Sequence, residues 1–187
     1  EDGIRDVLLS LVGSEMCIRD RYYDVWGSDQ TYPHMSVGWT WAFNTPFSWT
    51  KMVASHFGGT KQGTAISWPA VIKDKGGIRN QFHHVVDIAP TILDVVGIPL
   101  PDEIDGIEQT PMEGVSMAYT FDEAGADAPS THTTQYFEMG GDHAIYHDGW
   151  ILSTKVMRVP WENSGTADKH PENWPWDLYD LSNDWTP

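Results

Sequence analysis

The chain has 187 residues and a mass of 21.0 kDa, enough for one domain or a domain and a half whose core needs neither disulfides nor metals. Lys and Arg number 11 against 27 Asp and Glu, a formal net charge of −16, and such a field repels phosphate backbones and anionic lipid, which argues against nucleic-acid and membrane partners. The longest apolar run, residues 7–12 with Ser10 inside it, falls far short of the roughly 20 residues that cross a bilayer, and the single Cys17 excludes an intrachain disulfide framework and a cysteine zinc cluster while leaving the compartment open.

In chain order, residues 1–21 come first and contain none of the ten Trp. Their last part, SLVGSEMCIRDR, resembles a translated adapter or cloning scar, so 1–21 is read as a non-native or scar segment and set aside from fold reasoning. Glu1 stands where a Met would begin a complete protein, and the chain reads as a fragment. Residues 28–47 are rich in aromatics, Pro and Gly without a period of 2 or 3.6, which predicts a packed irregular loop. Residues 64–68 (TAISW) alternate briefly before Pro69, predicting a short strand. The clearest helix is 87–96, with Asp87 as N-cap, Pro90 in the first turn, and Gly97 and Pro99 ending it. Residues 99–113 read as an acidic surface excursion, and 114–121 as a second, shorter helix.

From residue 133 the pattern turns to strands: 133–139, 144–147, 150–155 and 176–181. Asp148-Gly149 joins the middle two as a hairpin, and 159–175 reads as a long surface loop. The expectation is a mixed α/β chain in which 22–130 and a truncated antiparallel subdomain at 131–187 form the two parts.

Several residue groups offer chemistry. The Gly-rich run at 57–63 (FGGTKQG) could cradle a phosphate, but it lacks P-loop spacing and reads better as a tight loop. His83, His84 and Asp87 are metal-ligand types, yet adjacent His point apart and no third ligand has a motif spacing; a polar helix entry is favoured. His143 and His147 flank the hairpin in the same way. Trp39, Trp41, Phe43, Phe47 and Trp49 form either a sugar-stacking platform or an aromatic core. Lys51 follows Asn44-Thr45-Pro46-Phe47 in a stretch nearly free of Lys; composition alone makes it a surface lysine.

The stretch VGWTWAFNTPFSWTKMVASHFGGTKQGTAISWPAVIKDKGGIRNQFHHVVDIAPTILDVVGIPLP at 37–101, followed by GVSMAYTFD at 114–122, TQYFEM at 134–139, AIYHDGW at 144–150 and WDLYDL at 176–181, resembles in collinear order the C-terminal half of bacterial arylsulfatases, of the sulfatase family in the alkaline phosphatase superfamily. The resemblance covers about four fifths of the chain. It implies a partial alkaline-phosphatase-like sulfatase fold, the edge of the large sheet plus a small C-terminal antiparallel sheet with helix, and hydrolysis of a small-molecule sulfate ester to an alcohol or phenol. It also implies calcium and a formylglycine made from Cys or Ser in the complete parent enzyme, neither held by this fragment. Lys51, in NTPFSWTK, matches the family's sulfate-contacting lysine and is the one catalytic and substrate-binding residue carried over. No role is carried to His56, because residues 51–58 run one residue longer than in shorter relatives.

The departures are as definite. Cys17 has Arg four residues on, but Arg19 stands where the formylglycine-type motif needs Pro. No early Asp pair, no Asp-Asn before the aromatic loop, and none of the early Lys and His of the family are present. Asp102, Glu103 and Asp105 read as an acidic turn rather than calcium ligands. The missing N-terminal half of the same protein is therefore an expected partner, the chain alone is expected to be silent, and the parent's compartment, periplasmic or cytoplasmic, stays open. Two alternatives remain: a phosphate or phosphonate monoester hydrolase of the same superfamily, and a non-catalytic carbohydrate-binding module using its aromatics. Deleting residues 1–21 is expected to leave the thermal midpoint within about 1–2 °C of its starting value, since uninvolved surface is worth about 0.5 kcal/mol or less. A shift equivalent to several kcal/mol identifies the segment as genuine structure.

Overall fold

The computed structural model describes residues 23–25, 28–30, 37–155 and 173–186. The segment 1–21, with Cys17, and most of the loop expected over 159–175 lie outside the described residues. Helix α1 (Val37–Asn44) occupies part of the span read as an irregular loop. Of its aromatics, Trp39 and Phe43 share one face at i,i+4, with ring centroids 6.2 Å apart, while Trp41 lies on another. All three stay exposed, so no helical stripe marked the element in the sequence.

A loop leads from α1 to the short helix α2 (Phe57–Thr60). The strand expected at 64–68 is not formed among the described residues: that segment runs without a ladder partner into a turn where Val71 and Ile72 both donate to the Trp68 carbonyl. Further on, the extended segment 78–84 obtains its bonds from side chains. Arg79 Nε donates to the Thr120 carbonyl at 2.8 Å, Gln81 Nε2 reaches the carbonyls of Gly125, Ala126 and Ala128, and the Phe82 amide donates to Ser130 Oγ. Backbone groups need partners, and side chains supply them here in place of a sheet.

Helix α3 (Ile88–Val96) forms as expected, preceded by a 3-10 turn at Val85–Asp87. Asp87 stands at the N-cap position of α3 as expected, but its side chain makes no capping bond to that helix. It accepts instead from the His84 amide, closing a capping box with His84, the N-cap of the 3-10 turn, whose side chain accepts from the Val86 amide. At the other end Gly97 adopts φ 70°, with the Gly97 amide on the Asp94 carbonyl and the Ile98 amide on the Leu93 carbonyl, a Schellman termination. The second helix expected at 114–121 shrinks to a 3-10 turn at Ala118–Thr120. Its amides are committed elsewhere: Val115 N–H donates to Asp87 Oδ1 and Met117 N–H to Thr91 Oγ1, both at 2.9 Å. Strands β1 (Glu103–Ile104) and β2 (Ile107–Glu108) pair antiparallel across Asp105-Gly106, a hairpin within the stretch read as an acidic turn.

The main sheet is antiparallel in the order β3-β4-β5-β6, formed by Thr134–Met139, Asp142–His147, Trp150–Thr154 and Asp177–Asp180. As expected, Asp148 and Gly149 make the β4–β5 turn, with φ 43° and 85°, the signs that a type I′ hairpin requires. Register places Gln135, Tyr146, Ile151 and Tyr179 in one row across the sheet, and Phe137, Ala144, Ser153 and Asp177 in the next. This face packs on the helical part, where buried Phe57, Ala144 and Ile151 meet Phe47, Phe137, Tyr179 and Leu181. Ile151 is 1 % exposed. Ile151→Ala is therefore expected to cost about 2–5 kcal/mol in chemical denaturation, the range for emptying a packed core site; a cost below about 0.5 kcal/mol would place the core elsewhere.

Candidate functional site

Lys51 lies at the tip of a loop whose backbone is fixed from within. Trp49 and Met52 on either side of it adopt φ 66° and 79°, a left-handed geometry that side-chain-bearing residues keep only where surroundings over-determine it. Those surroundings are explicit. Asn44 Nδ2 donates to the Gly58 carbonyl at 2.9 Å and to the Trp49 carbonyl at 3.4 Å, the Gly58 amide donates to the Ser48 carbonyl, and Val53 donates to Thr50. A Cβ on Gly58 would lie 2.2 Å from the Trp49 oxygen, and one on Gly59 would lie 2.0 Å from the Val53 oxygen. The Gly-Gly pair thus serves close approach of two backbones, and it lies in the one-turn helix α2 rather than in the tight loop expected over 57–63. Val53, Ala54 and Ser55 are buried beneath, while Lys51 itself is exposed.

His56 closes the loop, its Nδ1 2.8 Å from Ser55 Oγ. Burial, reinforced by the Lys155 charge and opposed by Asp177, holds its imidazole below the usual histidine range. Lys155 sits 4.0 Å above the Trp49 ring.

A second group gathers on Asp87, which is fully buried. Its carboxylate accepts from the His84 amide and His83 Nδ1, both at 2.9 Å, from the Val115 amide at 2.9 Å, and from His132 Nδ1 at 2.8 and 2.9 Å. His132 Nε2 lies 3.1 Å from the Thr134 carbonyl, so the ring bridges Asp87 and the first residue of β3. Burial alone would raise the Asp87 carboxyl. The bonds from His84, Val115, His83 and His132 outweigh it and hold the group below the ordinary carboxylate range. His83 continues through Nε2 to Tyr119 Oη at 3.1 Å.

The polar helix entry favoured for His83, His84 and Asp87 is thus observed, and among the described residues no group of three or more His, Cys, Asp or Glu is placed to hold a metal. His132 went unnoticed in the sequence. It lies 45 residues from Asp87 between two threonines, and no local spacing marks it. His143 stacks on Tyr136 and on Trp174, and His147 Nδ1 lies 2.7 Å from Oγ1 of Thr134, the residue whose carbonyl faces His132. The five aromatics divide: Trp39, Trp41 and Phe43 are exposed, Phe47 packs on the core, and Trp49 meets Trp41 and His56 edge-on.

A cleft of about 370 Å³ separates the Lys51 loop from the sheet, with Met52, Val53, Ala54, Gly59 and Thr60 on one side and His84 and β3 residues Tyr136–Met139 on the other. Met52 brings the residue after Lys51 to its rim. His84, in its wall, is held below the usual histidine range by burial, with the neighbouring His132 adding to the effect and Asp87 opposing it. No protein-family model matches the chain, and no curated protein matches it significantly.

The Asp87 group makes a pH-dependent prediction. Because its folded-state value is depressed, its contribution to stability is complete above the ordinary carboxylate range and is lost as pH falls through the lower folded value. Asp87→Asn turns an N–H donor toward donors and is expected to cost roughly 3–5 kcal/mol at neutral pH. In urea titrations from pH 7 to pH 2 the variant should also lose part of the acid sensitivity; an identical pH profile for both proteins would remove Asp87 from this role.

Proposed function

We propose that the chain is part of a hydrolase of sulfate monoesters of the arylsulfatase type, and that Lys51 is its sulfate-contacting lysine. The observation that carries this reading is the presentation of Lys51: an exposed ammonium on a loop fixed by two left-handed residues, a side-chain clamp from Asn44 and a close-packed Gly-Gly pair. A lysine on a solvated helix face has no use for such constraint. A lysine that must meet charge developing on a transferring group does, because preorganisation removes the cost of arranging the charge during reaction. The collinear residues at 37–101 and beyond supply the family assignment.

In this reading the unpaired segment 64–68 and helix α3 belong at the edge of the large sheet of a sulfatase domain, with neighbouring strands in other parts of the parent, and β3–β6 form the small C-terminal sheet. The described residues do not fit a calcium site. The metal and the formylglycine that such hydrolases use are accordingly assigned to the rest of the parent protein, with a small sulfate ester as substrate. Within the described chain, Lys51 binds and neutralises a sulfate oxygen, while the cleft beside Met52 borders the ester.

In the complete parent, Lys51→Ala is expected to lower kcat/KM for an aryl sulfate by about 10²–10³-fold, the typical loss on removing one preorganised charge-stabilising donor. Unchanged turnover would return Lys51 to an ordinary surface role. The chain alone is expected to release no sulfate with or without calcium, and calcium-dependent release above background would overturn the division of labour proposed here.

A further inference from the structure

Lys61 is held differently from any paired lysine. Its Nζ lies 4.6 Å from the ring centroid of Phe47, 5.1 Å from that of Phe57 and 5.9 Å from that of Trp185. Phe57 and Trp185 each meet Phe47 edge-on, at interplanar angles of 85° and 84° and centroid distances of 5.9 and 5.8 Å. Three rings from separate parts of the chain therefore lie about the ammonium of an otherwise exposed side chain. In a protein with 27 acidic residues, the Lys61 ammonium has no ion pair or hydrogen bond among the described residues.

The ring faces attract positive charge, yet they are poor acceptors, and a primary ammonium brings three N–H donors. Burial accordingly holds Lys61 below the ordinary lysine value. A quaternary ammonium carries the same charge with no donor to satisfy, and its methyl groups pack on the rings. The walls do not depend on Lys61, since Phe57 is buried against Ala144 and Ile151, and Phe47 packs on the same cluster. Trp185 is 55 % exposed and forms the open side. The side chain of Lys61 can swing outward without breaking a hydrogen bond, because its only bond among the described residues is from its backbone amide to the Phe57 carbonyl.

We propose that Phe47, Phe57 and Trp185 form a binding site for a quaternary or N-methylated ammonium group, which Lys61 occupies as an internal stand-in. The site is distinct from the sulfate-ester reading and does not rest on it. The negative field of the whole chain would concentrate such a cation near the surface.

The test uses the full chain and tetramethylammonium chloride, followed by titration calorimetry and by saturation transfer to the methyl protons at constant ionic strength. Tert-butanol supplies similar shape without charge, and ammonium chloride supplies charge without methyl groups. Removing the internal competitor in Lys61→Ala should tighten tetramethylammonium binding at least about tenfold, with Lys61→Gln as a second opening variant should the first fold poorly by circular dichroism. Adding Trp185→Ala to either variant should abolish the gain. Equal affinity of the wild-type chain and a folded Lys61 variant would overturn the proposal. So would equal binding of tert-butanol, or a gain that survives loss of Trp185.

Discussion

A single buried carboxylate joins the two halves of this structure. Asp87 is fully buried and accepts from four groups: the His84 amide and the His83 ring at the start of α3, the Val115 amide from the returning segment, and the His132 ring just before β3. Thr91, one turn on, repeats the arrangement by donating to the Asp87 carbonyl and accepting from the Met117 amide. A buried charge with fewer partners would be costly, while one with this many is held ionised and fixes the position of every donor. The sheet is thereby set against the helical part at one end, and the Phe57, Ala144 and Ile151 contacts hold it at the other.

This joint explains what was legible in the sequence. Elements whose stability is local could be read directly: α3 carries its own apolar spacing and Gly97 stop, and the β4–β5 hairpin carries Asp148-Gly149. The elements misread are those decided by distant partners. Residues 114–121 have helical character, but Asp87 and Thr91 take two of their amides, and only a single 3-10 turn survives. Residues 64–68 alternate like a strand, yet no neighbour among the described residues offers a ladder. Helix α1 was hidden for the opposite reason, since its aromatics are exposed and build no apolar face toward the core. His132 could not be found from spacing at all.

The candidate site was legible to a different degree. Lys51 stood out through resemblance, not through composition, and the sequence held no sign that residues on both sides of it adopt positive φ. Gly58-Gly59 marked the run, but the sequence set only a phosphate cradle against a tight loop, and the close approach of two backbones is seen in the geometry alone. There the space a Cβ would need is filled by the Trp49 and Val53 carbonyl oxygens. Left-handed residues at Trp49 and Met52 cost of order 1–3 kcal/mol each. Stability elsewhere in the loop must offset that cost, and the Asn44 clamp and buried Val53–Ser55 stretch are placed to do so.

The manner in which lysines are held bears on how an anion could approach a chain of charge −16. Pairing a lysine with a carboxylate fixes the ammonium but cancels its charge at distances beyond the pair. Placing it over an aromatic ring fixes it while leaving the charge whole, because the ring contributes a quadrupole and no net charge. Near the loop bearing Lys51, one cation is held in this second way, Lys61 beside the Phe47, Phe57 and Trp185 rings. Coulomb interactions at this range fall off within a Debye length of about 8–10 Å at physiological salt, so nearby charges govern the potential at the loop more than the distant acids do. The rings around Lys61 thus pack on the core and hold a cation without adding a carboxylate beside it, a combination that a carboxylate-rich lining could not provide.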